Sequence, residues 1–313
     1  MAPETTTLSS GYKIPTIGLG TYDSMTGEIT RVVHEALKAG YRHIDCARLY
    51  GNEDVIGEIL GKQQIVPRNE LFITSKVFED SHRPDLARQS CLDSIRDLQV
   101  GYLDLLLIHW PHSVKPGKGQ ERLTPEILDN VPIMDTWREL EKLVDEGLVK
   151  SIGVSNFNVK ILEKMLPQCR IKPAVNQVEL NPCLPQHELV KYCHDHDIAV
   201  VAYCPLGKGK GDVLTDPTIK RIVERRNQKG GGEDKVTEAQ VALAWNIQRG
   251  VIVIPKTANP ARLEENFKRI TLTPEEMAEI NAIKTRIRYI DPAKECANLK
   301  WVFSPKEAEC PVI

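Results

Sequence analysis

Asp45, Tyr50, Lys76 and His109 offer a carboxylate, a phenol, an amine and an imidazole. Gathered at one point, these groups can protonate an oxygen as negative charge builds on it. A free phenol titrates near pKa ~10 and is a poor acid at neutral pH. An ammonium beside it favours the phenolate and makes the phenol a better donor. Asp45 would hold Lys76 in place and charged, and His109 would orient a carbonyl oxygen. Nothing here forms a Ser-His-Asp set. His109 and His112 have H-x-x-H spacing but lack a strong third ligand beside them, so no metal is expected. Protonating a carbonyl oxygen is half of a reduction. The other half is hydride, which side chains cannot supply, so a nicotinamide is implied. The Rossmann fingerprint is absent: Gly18-Leu19-Gly20 lacks a third glycine, and Gly207-Lys208-Gly209-Lys210-Gly211 has the wrong spacing. Two other readings stand beside reduction: a redox-sensing binding module, and a lyase using Lys76 as a Schiff base, which borohydride trapping would separate.

The elements that must position these residues alternate along the whole chain. Short β-branched runs occur at Thr16–Gly20, His43–Cys46, Leu71–Val77, Leu103–His109, Lys150–Ser155, Ala174–Leu180, Ala199–Pro205 and Val251–Lys256. Amphipathic stretches separate them. Runs apolar throughout, such as Leu103–Ile108, suit strands buried on both faces of a parallel sheet. Eight strand-helix units predict an α/β fold, a single-domain (β/α)8 TIM barrel spanning 1–313. A further helix is expected over Thr273–Thr285, with Thr273 as cap, Pro274 at its start and an acidic first turn. The irregular tail 291–313 is a candidate substrate loop over the barrel mouth. In such barrels functional groups stand at the C-terminal strand ends. Those ends carry Asp45, Lys76, His109, Ser155 with Asn156, Gln177 with Glu179, Tyr203 and Lys256. Any one of them could be a satisfied polar strand terminus; their convergence on one face points to a site.

Composition narrows the partners. The net charge of −2 excludes a strongly basic nucleic-acid footprint. No apolar run has the length of a membrane span, and the N-terminus lacks a secretory pattern, so a cytoplasmic protein without membrane or nucleic-acid partners is expected. The eight cysteines contain no C-x-x-C pair, which fits a reducing compartment. Cys310-Pro311-Val312-Ile313 has the shape of a prenylation signal but lacks a second anchoring feature, so an ordinary tail is expected. A monomer or weak dimer is expected.

Several segments in order resemble the aldo-keto reductases. Gly40-Tyr41-Arg42-His43-Ile44-Asp45 with Tyr50-Gly51-Asn52-Glu53 resembles that family's signature around its catalytic Asp and Tyr. Leu103 to Pro111 resembles the strand carrying the catalytic His, and Gly147 to Phe157 the fifth strand. Ile254-Pro255-Lys256-Thr257 with Arg262 and Glu264-Glu265-Asn266-Phe267 is similar to the adenosine-phosphate site. The resemblance runs from about Gly11 to Asp291-Pro292 and is closest to the aldose and xylose reductase type. It implies Tyr50 as general acid, tuned by Lys76 and Asp45, with His109 orienting the carbonyl. It implies a cofactor site of Thr21, Tyr22, Asp45, Ser155, Asn156, Gln177, Tyr203, Cys204, Leu206, Lys256, Thr257, Asn259, Arg262, Glu265 and Asn266. Within it Ser155, Asn156 and Gln177 would hold the carboxamide, Tyr203 would stack on the nicotinamide, and Lys256, Thr257 and Arg262 would grip a 2′-phosphate. Two cations there favour NADPH, with NADH possible and weaker. A small-molecule carbonyl, an aldehyde or aldose, would meet Tyr22, Tyr50, Phe78, His109, Trp110 and Asn298. Tyr22 and Phe78 stand where relatives often have Trp, and Cys204 where they have Ser.

Overall fold

A computed structural model describes residues 3–22, 26–63, 65–209, 211–229 and 235–303. The prenylation motif at Cys310, the Gly230–Gly232 run and Lys210 lie outside the described residues, as does the tail beyond 303.

Eight parallel strands form one sheet. They are β1 (Leu19–Gly20), β2 (His43–Asp45), β3 (Phe72–Val77), β4 (Leu103–Ile108), β5 (Val149–Ser155), β6 (Val175–Glu179), β7 (Ala199–Tyr203) and β8 (Val251–Val253). Each pairs with its chain neighbour, as strand-helix-strand units require. A parallel bridge between Ile17 and Val253 closes the sheet into a barrel. At this seam Gly18 N donates to Val253 O at 2.8 Å and Gly20 N to Pro255 O at 3.1 Å. Gly20 is required there, because a Cβ would stand 2.9 Å from the Ile254 carbonyl oxygen.

Alternation along β4 sorts the core. Leu105 and Leu107 join Phe72, Val175, Val201 and Ile252 inside the barrel, while Leu106 and Ile108 pack outward under the helices. An N-terminal hairpin, Thr5–Thr7 with Lys13–Pro15, was not expected from sequence. Its Leu8 and Ile14 fill the barrel end away from the strand C-termini, and Ser10 Oγ meets Ser151 Oγ at 2.7 Å. A second small hairpin, Ser113–Val114 with Leu128–Asp129, stands after β4.

The helices are α1 (Thr26–Ala39), α2 (Glu53–Glu58), α3 (Pro84–Leu98), α4 (Ile133–Asp145), α5 (Val159–Met165), α6 (His187–Asp195), α7 (Pro217–Lys229), α8 (Glu238–Gln248), α9 (Pro260–Phe267) and α10 (Pro274–Asn281). Thr273 forms the expected cap of α10, completed by Glu276. The expected end at Thr285 is corrected to Asn281. Ile283 turns in to be buried, and Ile287 N bonds Cys183 O at 3.0 Å, drawing the chain back across the barrel.

Candidate active site

β2 ends at Asp45, and the chain then makes a single 3-10 turn, Arg48–Tyr50. Gly51 leaves that turn in the left-handed region at φ 61°. Buried Glu53 pins the turn from behind. Its Oε1 accepts from Ser75 Oγ at 2.5 Å, and its Oε2 from Ser94 Oγ at 2.9 Å and Arg48 Nη1 at 2.8 Å. Asn52 Nδ2 donates to Thr21 O at 3.0 Å, and Thr21 Oγ1 donates to Asp45 O at 2.8 Å. Tyr50 is therefore carried on a turn fixed to β2, β3 and α3 at once.

Lys76 reaches this turn from β3. Its Nζ lies 2.5 Å from Asp45 Oδ1, 2.8 Å from Cys46 O and 3.2 Å from the Tyr50 hydroxyl. Lys76 is 0% exposed and Asp45 1%. The second Asp45 oxygen accepts from Gln177 Nε2 at 2.7 Å. His109 follows β4, its ring centroid 6.0 Å from that of Tyr50. Its Nδ1 is buried without a hydrogen-bond partner. Burial, with Lys76, His82 and His112 nearby, holds this imidazole well below the ordinary histidine value, so it is neutral.

Burial pushes the Tyr50 phenol well above its ordinary value, and the Asp45 charge adds to that. The sequence reading expected the ammonium to shift it the other way. Desolvation of the phenolate in this partly buried setting outweighs it, so the resting phenol keeps its proton. Among the described residues no group of three or more His, Cys, Asp or Glu could hold a metal ion.

The expected cofactor residues form two groups. At the centre, Ser155 Oγ donates to Gln177 O at 2.9 Å, Asn156 Nδ2 to His109 O at 3.0 Å, and the Tyr203 hydroxyl to Asn156 Oδ1 at 2.7 Å. Asn156 adopts φ 66°, which turns its amide back over the mouth. These bonds tie Asn156 to Tyr203 and to the backbone just after β4, and Ser155 to the backbone of β6. Cys204, beside them at φ 47°, has its thiol pushed up to about 12 by burial, and Leu206 packs on the core. The second group surrounds the start of α9. Asn259 caps this helix, its Oδ1 accepting from Ala261 N at 2.9 Å, and Thr257 Oγ1 accepts from Asn259 N at 3.1 Å. Lys256 and Arg262 stand exposed on either side. Asn266 is buried, and Glu265 Oε1 accepts from Thr237 Oγ1, the cap of α8, at 2.7 Å.

Of the expected substrate residues, Tyr22 packs edge-on to Tyr50 at 5.2 Å and Phe78 lies 5.9 Å from His109. Trp110 is buried against His112, ring centroids 5.6 Å apart, and Asn298 is exposed in the tail. The tail reaches the mouth through Phe303, whose ring meets Trp110 at 6.0 Å and carries the Arg288 guanidinium at 3.8 Å. Sequence reasoning missed Phe303; the aromatics Trp301 and Phe303, two positions apart in the tail, were the available signal. Glu179, noted at a strand end, is instead a tail anchor: its carboxylate accepts from Tyr289 N at 2.9 Å and Ile290 N at 2.8 Å.

Comparison with known proteins places the chain in a family. The sequence profile of the Aldo/keto reductase family matches residues 16–285. Aldose reductase B of Dictyostelium discoideum is 42% identical over 299 residues, covering 91% of this chain and 94% of that protein. Aldo-keto reductase family 1 member A1 of Homo sapiens is 38% identical over 309 residues, covering 93% of each. The solved aldose reductase of Schistosoma japonicum superposes with a TM-score of 0.88 at 41% identity, covering 97% of this chain and all of that one (100%). A barrel whose strand ends gather Asp45, Tyr50, Lys76 and His109, together with matches over nearly the full length, identifies the chain as a member of the aldo/keto reductase family, a nicotinamide-dependent oxidoreductase.

Proposed function

We propose that the protein reduces small aldehydes and ketones with NADPH, Tyr50 being the general acid. The observation that carries this reading is Lys76 Nζ, 2.5 Å from Asp45 and 3.2 Å from the Tyr50 hydroxyl, in a buried cluster at the barrel mouth. A bound reduced nicotinamide supplies hydride. The chain's own residues handle the proton. Tyr50 holds it in the resting site. Lys76 then stabilises the phenolate as the proton leaves, and Asp45 keeps the ammonium aimed at it. Neutral His109 can donate one hydrogen bond to a carbonyl oxygen and direct it towards Tyr50.

The cofactor fits what the residues offer. Ser155, Asn156 and Gln177 carry the amide and hydroxyl groups that a carboxamide needs, and Tyr203 offers an aromatic face beside them. At α9, a capped helix start between Lys256 and Arg262 suits a phosphate. Thr257 would join that grip, and Glu265 with Asn266 would meet the adenine. That charge supports NADPH over NADH. Two of the similar proteins are aldose reductases, which supports aldoses as one candidate class beside simple aldehydes. Loss of 340 nm absorbance with glyceraldehyde, xylose and an aromatic aldehyde, each with NADPH and NADH, tests the reading. NADPH bound tightly with no turnover on any of the three would point to a redox-sensing subunit instead.

A further inference from the structure

We infer that Gly119 is a specificity-determining residue, because its missing side chain sets how far the Phe78 ring stands from His109. The inference rests on the proposed carbonyl site. Gly119 is not in the left-handed region, so its backbone conformation does not demand glycine. Space does. A Cβ there would fall 2.5 Å from Phe78 Cε1, 2.8 Å from Phe78 Cδ1 and 3.0 Å from Asp80 Cγ. Phe78 also borders His109, with ring centroids 5.9 Å apart. The Phe78 ring thus neighbours both residue 119 and the His109 imidazole.

A methyl group at 119 must move either the loop or the ring. The loop is tied down: Lys115 N donates to Ile127 O at 2.8 Å, Lys115 Nζ to Glu126 O at 2.6 Å, and Lys118 N and Glu121 N close successive turns at 3.0 Å. Asp80 Cγ, 3.0 Å from that Cβ, crowds the same space. The ring therefore yields towards His109 and narrows the cleft where a carbonyl substituent would lie. Pockets of this kind discriminate by roughly tenfold or more for a change of one methylene.

The test compares wild type with Gly119→Ala on propanal and 2-naphthaldehyde, both with NADPH. The kcat/KM ratio of naphthaldehyde to propanal should fall about tenfold or more. The double variant Gly119→Ala/Phe78→Leu should recover most of that ratio. An unchanged ratio, or one shifted towards naphthaldehyde, overturns the inference. A denaturation cycle over the same variants reads the contact without turnover: Gly119→Ala should lower the midpoint, and Phe78→Leu should lessen that effect. Additive midpoints overturn the inference. Wild type inactive on both aldehydes would contradict the proposed activity, while the cycle would still decide the contact.

Discussion

Gln177 and Asp45, 132 positions apart, meet across the barrel mouth at 2.7 Å. With Lys76 on the other oxygen, the carboxylate is held from two strands at once. The bond also joins the amide group beside Tyr203 to the group around Tyr50. One hydrogen bond to a buried charge contributes about 1.5–3 kcal/mol. Gln177→Met keeps the volume and removes the donor. Chemical denaturation should show a loss within that range, and a loss well under 0.5 kcal/mol would mean that Asp45 is held without it.

The Asp45–Lys76 pair is buried on both sides. Lys76→Met leaves a carboxylate uncompensated, at a cost of about 3–5 kcal/mol. Asp45→Asn/Lys76→Met, which removes both charges, should be more stable than Lys76→Met alone. Activity should not return with stability in the double variant, since the group proposed to stabilise the phenolate is gone. Recovery of turnover would show that the ammonium has no chemical role.

Lys256 and Arg262 can be tested by binding alone. Either residue changed to Ala should weaken NADPH by roughly ten- to hundredfold, the equivalent of one charge-assisted hydrogen bond. NADH should weaken much less, and rising salt should shrink the difference. Equal losses for both cofactors, measured by fluorescence quenching, would mean that these cations do not read a 2′-phosphate.

Acid stability follows from three buried histidines. Burial lowers His43 to about 4 and His82 to about 3, and holds His109 well below its ordinary value. The unfolded chain therefore binds protons that the folded chain does not. Stability should be full above the ordinary histidine value near pH ~6.5 and should fall as pH drops towards 4. Each histidine adds up to about 1.4 kcal/mol per pH unit across that window. Denaturation midpoints between pH 7 and pH 4 measure this, and a flat profile would contradict the burial.

Much of the site was legible because barrel strands have one functional end. Once Leu103–Ile108 reads as a strand buried on both faces, His109 must stand at its mouth, and the same logic places Asp45, Lys76 and Gln177. Long-range pairings were not legible. Nothing in local sequence says that Glu53 is shared by Ser75, Ser94 and Arg48 rather than capping its own helix. The N-terminal hairpin was missed because its strands are three residues each, too short for periodicity to show. The tail was read only as irregular, since what holds it is long-range: Phe303 meets Trp110, and Asn158 donates to the Trp301 and Val302 carbonyls. The direction of the Tyr50 shift also escaped the sequence, because an ammonium neighbour can be inferred from spacing but the extent of desolvation cannot.

The most direct measurement is steady-state reduction by Tyr50→Phe alongside NADPH binding to the same variant. Loss of a positioned proton donor should lower kcat by about 10²–10⁴-fold, with the dissociation constant for NADPH changed by less than about twofold. Full turnover in Tyr50→Phe would mean that the proton comes from elsewhere, and the cluster of Asp45, Lys76 and Tyr50 would need another explanation.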